Sequence, residues 1–438
     1  MKKIYSSVLL AVTLLLSTNI WATDVSSLQG LQDALVAGGD IILTQDITAD
    51  ARLDITKSVT IDGQGKYSVK STAQDVFLIT TGAISVSFKN LTIFAAGKNG
   101  RGIGISESNG NADELTLNLE NVTINTCKRG ITVYSQSESS HITISNSTIQ
   151  LVKDENGTLY DYDKEYNNDE ARGLSLWNMS NASVDIQNST IQGFTYDINL
   201  SGPYESATAT DNMKVSATNS TFKGRAALNV WKHNAEYTFT DCTVCGINNQ
   251  SGEKEGFGCF VFNDKDSSGK SYNAHGNKLT INGGTYVSVV FDKNGTVNSN
   301  ATAFFLDNRG ADNTIVVNNA SYSCPKDNVN NPNGKGGIVC GGFPSGSITI
   351  NGGTYDCPEL VTSMGSDASL VINGGNFNIN VVSEGEEVAT NIIGGTTING
   401  GTFVVADKNQ QIADIKDSEG NTLLGENMKT ITNSNEAV

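Results

Sequence analysis

Three aromatic residues close similar six-residue runs. Tyr134 ends "RGITVY" at 129–134, Trp177 ends "RGLSLW" at 172–177, and Trp231 ends "AALNVW" at 226–231. A flat ring repeated at one place in successive units suits stacking against sugar rings, whose C–H faces are apolar. Two of these runs open on Arg, as does "RGIGIS" at 101–106. Arg101, Arg129 and Arg172 therefore form a column of guanidiniums, a fit for carboxylate or sulfate groups. The acids of "KDENGTLYDYDKEYNNDEA" at 153–171 are the competing partners for that column, and the same long loop is a candidate cover for the rings.

Further along the chain lie Lys232, Asp264, Asp307 and Arg309. Two carboxylates near one strand end, Asp264 and Asp307, can divide acid and base or nucleophile roles in glycoside cleavage. Alternatively, Lys232 removes a proton beside a uronate carboxylate that Arg309 neutralises. The segment "DKDSSGKSYNAH" at 264–275 offers a third chemistry. It sets Asp264, Asp266 and Ser268 at alternate positions of a calcium-type loop, with Gly269 at the turn. Its twelfth residue is His275, where a bidentate Glu is wanted. Calcium is thus the one cofactor the sequence offers, and it competes with catalysis for Asp264.

What must position these residues is a repeat. "LTINGGTY" at 279–286 returns as "ITINGGTY" at 348–355, "LVINGGNF" at 370–377 and "TTINGGTF" at 396–403. Looser copies run back to "FKNLTI", ending at Ile93, with spacings from 22 to 42 residues. A self-similar unit of this size implies a solenoid, with irregular loops inserted into a constant coil. Within a unit the apolar residues alternate, which marks strands. An Asn stands between two strands in nearly every unit, among them Asn90, Asn121, Asn282 and Asn351. Asn tolerates left-handed backbone, so a sharp bend is expected there. Stacked Asn amides are also expected to bond in a ladder. Cys324 in "SYSCP" and Cys357 in "TYDCP" are expected to stack inside successive coils.

This arrangement resembles the right-handed parallel β-helix of the pectate lyase-like superfamily. The resemblance covers roughly residues 28–405, and "LQDALVAGGDIILTQDI" followed by "VTIDGQGKYSV" looks like its capping helix and first coil. It implies an all-β solenoid of about 11–12 coils with an N-terminal capping helix. It also implies that the strand after the long turn builds the sheet carrying the substrate groove. On that sheet the outward register is expected to read Ser106, Tyr134, Trp177, Ser201, Trp231, Asn263, Asp307 and Gly341. Ile338 is expected inward with Ile103, Ile131, Leu174, Ile198, Leu228 and Phe260. Strands about 4.8 Å apart place Tyr134 and Trp231 roughly 14 Å apart, about three sugar units. The lyase R-x-P-x-x-R stretch and the polygalacturonase N-T-D, D-D, G-H-G and R-I-K motifs do not occur. A superfamily of lyases, hydrolases, adhesins and tailspikes fixes no activity.

Composition agrees with a turn-rich β protein. Of 438 residues 45 are Gly and 5 are Pro, and the formal charge is −17. The opening "MKKIYSSVLLAVTLLLSTNIWA" reads as a signal peptide, residues 1–22, without a lipid-anchor cysteine. Losing Lys2 and Lys3 would take the charge to −19. Such a surface excludes nucleic acid and anionic membranes as general partners. Seven cysteines leave at least one unpaired. The expectation is a secreted or cell-surface monomer, with a β-helix over 23–405 and a C-terminal cap or tail over 406–438. Its expected partner is a polysaccharide or other glycan, bound without catalysis. The alternative is a polysaccharide lyase or glycoside hydrolase.

Overall fold

The computed structural model describes residues 22–107, 110–167, 170–201, 212–248, 255–264, 274–291, 294–297, 302–324, 337–340, 343–357, 359–361, 365–379, 396–405, 432–433 and 436–437. Apart from one short helix the described elements are strands in three sheets, and the chain winds through them in a right-handed parallel β-helix. The first sheet has 14 strands, from Thr23–Val25 to Thr396–Ile398. Setting aside that N-terminal strand leaves one strand per coil, thirteen coils against the expected 11–12.

Each coil runs from the first sheet through a tight bend to the second, then through a longer turn to the third. Between successive coils pairing is parallel, and in the first two sheets it is in step. Leu117 aligns with Val86 and Ile142 in the first sheet, and Ile124 with Ile93 and Ile149 in the second. Period-two alternation aims these side chains into one continuous core, where like stacks on like. Toward the C-terminus the second-sheet column turns aromatic. Tyr355, Phe377 and Phe403 stack with centroids 4.8 and 4.7 Å apart and planes within 10°.

The helix Leu28–Ala37 covers the N-terminal end of the core with Leu31, Ala34 and Leu35. Ser27 caps it, accepting from the Gly30 N–H at 3.1 Å, and Gly38 ends it at φ 82°.

The bends divide into two kinds. Asn90, Asn121, Asn146, Asn188, Asn219 and Asp241 themselves take left-handed backbone, with φ between 48° and 54°. In "LTINGGTY" the bend is equally long, but the Asn stands one residue earlier. Asn282 remains a strand residue, paired with Thr240, and Gly283 and Gly284 take φ of 67° and 88°. This corrects the expectation that the repeated Asn always makes the bend. It also explains the ladder. Asn318 donates to Asn282, Asn351 to Asn318, Asn373 to Asn351 and Asn399 to Asn373, at 2.8–2.9 Å.

Earlier coils use other devices at the same edge. Asn121 donates to Asn90, and the buried hydroxyls of Ser147, Ser189 and Ser220 each accept from the backbone of the coil before. Cys324 and Cys357 are both buried and lie in step on successive coils, as the register Ser323↔Asp356 requires.

Candidate groove on the third sheet

The third sheet has 11 strands and carries the aromatic and arginine columns. Its register puts Arg101 opposite Arg129, and Arg129 opposite Arg172. Gly follows each Arg for a reason inside the core. A Cβ on Gly102, Gly130 or Gly173 would come within 2.3–2.5 Å of the Ile124, Ile149 or Ile191 side chain. The "RG" repeat is therefore half packing and half surface chemistry.

The three arginines meet different fates. Arg101 lies over the Tyr134 ring, its carbon 4.6 Å from the centroid, and donates to the Tyr134 hydroxyl. The Gln74 amide adjoins it and, with its oxygen turned inward, accepts from the same guanidinium. Arg172 pairs loosely with Glu170 at 3.6 Å. Arg129 has no ion-pair partner among the described residues. Burial, then the charges of Arg172 and Arg101, lower its pKa to about 10. The Nε atoms of all three are buried without a hydrogen bond. Among the described residues the acids of 153–171 thus meet only one of the three directly.

Asp75 completes this corner. It is 5% exposed and stands opposite Arg101 in the strand register. The Tyr134 hydroxyl donates to its Oδ1 at 2.6 Å. Burial raises the Asp75 pKa, against the pull of Tyr134 and Arg101. Burial and the bond to Asp75 push the Tyr134 phenol up to about 12, so it stays a neutral donor. Arg52, Gln74, Asp75, Leu78, Ser106, Glu107 and Tyr134 line an open cleft of about 520 Å³. Arg52 bridges Asp54 at 2.8 Å and Glu107 at 2.5 Å across its mouth. Sequence reasoning passed over Asp75. The signal lay in "DVFLI" at 75–79, which aligns with "RGIGI" and sets the acid against the arginine column.

The aromatic column keeps its expected order. The Tyr134 N–H donates to Ile105 O, and Trp177 pairs with Ser201. The Trp231 N–H donates to Leu200 O, setting it next in line. Trp177 and Trp231 are both partly exposed. Among the described residues, contacts of 153–167 fall on the second sheet and on the turn that follows it, where Asn167 accepts from Thr195. Gly157 nears the Phe94 ring, Asp163 pairs with Lys223 at 2.5 Å, and Tyr166 joins Ile247 and Phe291. Beside the aromatic column runs a buried amide ladder, Asn263 to Asn229 to Asn199, at 2.8 and 2.7 Å.

Further along, the register departs from expectation. A shift between Glu255 and Gly258 pairs Val261 with Asp307 and Phe262 with Asn308. Arg309, whose N–H donates to Phe262 O, therefore follows Asn263 in the outward line where Asp307 was expected. Asp307 is 0% exposed and held by Arg309 through two bonds of 3.0 and 2.8 Å. Lys232 is 2% exposed and donates to Met179 O at 2.7 Å. Asp264 is partly exposed, one residue beyond Asn263. The register also pairs Leu306 with Val339, so Val339 takes the column position expected for Ile338. Asp266, Ser268 and Gly341 lie outside the described residues, as do residues 1–21 of the signal segment and most of the tail 406–438. Among the described residues no group of three His, Cys, Asp or Glu is placed to hold a metal.

Residues 22–132 match the family model of a pectate lyase-like adhesive domain. The likeness to pectate lyase-like proteins read from the repeats therefore stands, over about a quarter of the chain. The matched segment holds the first four coils and every named wall of the cleft except Tyr134. No curated protein and no solved structure matches the chain. No helix among the described residues is long and apolar enough to cross a membrane.

Proposed function

We propose that this protein is a secreted or cell-surface adhesin that binds a polysaccharide along the third sheet without cleaving it. The observation carrying this reading is the shared register of Tyr134, Trp177 and Trp231, with Trp177 and Trp231 partly exposed two coils apart. Two strand steps separate those rings by about 10 Å, a span of two sugars. Parallel β-structure fixes this spacing, so the surface is preorganised and loses little entropy on binding. The Arg129 guanidinium beside the stripe supports contact with an acidic group of the glycan. Description of the N-terminal match as adhesive supports the same reading.

The lyase or hydrolase reading has weaker support. Of its residues, Lys232 and Asp307 are buried in bonds to the protein itself. The test is a glycan array probed with the mature chain and read for binding and for new reducing or unsaturated ends. Binding without products supports adhesion. Products, or no binding at all, overturn it.

A further inference from the structure

The cleft at Asp75 lies at the N-terminal end of the aromatic stripe, and its shape says how a bound chain would finish. Arg52 precedes the third-sheet strand Leu53–Ile55 of the first coil. Glu107 follows the strand Arg101–Ile105 two coils later. Their 2.5 Å ion pair therefore runs diagonally over the outward face of the strand between, Asp75–Ile79. A polymer lying along the helix axis meets this strut just beyond Tyr134. The strut therefore stands across the N-terminal end of the stripe.

What faces a ligand at this end is a built polar site. Asp75 is 5% exposed and lines the cleft. Its Oδ1 accepts from Tyr134, whereas its Oδ2 makes no hydrogen bond among the described residues. A carboxylate oxygen held in place by a neighbouring phenol is an acceptor for a donor that the protein does not supply. Beside it Gln74 offers an amide. Leu78 and Ala73 give an apolar patch. Vicinal hydroxyls with an apolar ring face are the donor pattern this lining matches. The volume, about 520 Å³, sits within the roughly 300–1,000 Å³ of small-molecule sites.

We propose that the cleft is a chain-end subsite. It seats the terminal sugar of a glycan, with hydroxyls donating to Asp75 Oδ2, while the following sugars lie over Tyr134, Trp177 and Trp231. This rests on the glycan reading above and deepens it, since it makes recognition end-on rather than internal.

The test uses the array glycan that binds the full chain most tightly, cut into size fractions and titrated by calorimetry. End-on recognition gives one protein bound per glycan chain at every length. It also gives a loss of about tenfold or more in Asp75→Asn, which keeps the side chain's shape but replaces the charged acceptor. Ala73→Trp, which fills the cleft from its rim without touching the Asp75–Tyr134 pair, gives a similar loss. Stoichiometry that climbs with chain length, or full binding by both variants, overturns the chain-end subsite. If Trp177→Ala with Trp231→Ala still abolishes binding in that case, the stripe stands and only the cleft falls. Failure of the parent to bind any array glycan overturns both.

Discussion

Arg129 stands opposite Arg172 on the adjacent strand of the third sheet, and no acid among the described residues forms an ion pair with it. With Arg101 on its other side, Arg129 is a partly buried charge between two like charges. The fold would be more stable without it. Arg129→Gln is expected to raise stability by about 1 kcal/mol, after discounting the pKa shift for solvent screening. The same change should weaken binding to acidic glycans and spare neutral ones. Urea melts together with affinity for a matched acidic and neutral pair check this. Loss of stability in Arg129→Gln would show that the column is structural.

Asp197 makes a sharper pH prediction. It stands in the core column between Gly173 and Ala227, fully buried, with neither carboxyl oxygen hydrogen-bonded among the described residues. Burial raises its pKa well above the usual carboxylate range. The folded state therefore holds the proton after the unfolded chain has released it. Stability is lost as pH rises from the unfolded value, about 4, toward the folded one. Asp197→Ala should stabilise the protein by about 1–3 kcal/mol at pH 8 and have little effect near pH 4. Melting temperatures across that range decide it. A gain that is equal at both ends would mean the carboxyl is not held neutral.

The fold was legible because its rule is periodic. Alternating apolar residues and a turn residue per coil give the strands, the bends and the solenoid without further information. What misled was counting. Asn90 lies three residues before Ile93 but Asn282 lies four before Tyr286, so Gly283 makes the bend and Asn282 stays in the strand. Asp307 is misplaced by two residues, opposite Val261 instead of Asn263, because nothing in the sequence marks how the strand Thr302–Asn308 registers against its neighbour. Asp75 was invisible because "DVFLI" lacks the Arg-Gly signature, although it occupies the same register. One-residue slips matter most in strands, where each reverses the face a side chain presents.

The late ladder gives a stability prediction. Asn351 donates to Asn318 and accepts from Asn373, both at 2.8 Å. Asn351→Leu breaks both bonds on an exposed edge. The expected cost is about 1–2 kcal/mol, from roughly 0.5–1.5 for each bond. The same change at Asn146, whose side chain has no such ladder bond, should cost less unless its left-handed φ of 48° dominates. Asn146→Gly separates the two causes, since glycine keeps the bend at little strain. Equal melts for Asn351→Leu and the parent would remove the ladder from the account.

The most direct measurement of the central claim is glycan affinity of the Trp177→Ala, Trp231→Ala double variant against the parent. Stacking a sugar on each ring contributes roughly 1–2 kcal/mol. Each 1.4 kcal/mol is tenfold, so the pair should weaken binding by about 30-fold or more. The melting temperature should hardly change, because both rings lie partly exposed on the outer face of the sheet. A 30-fold loss with the fold intact is the result the account predicts. Parent-like affinity for every glycan that binds would contradict it.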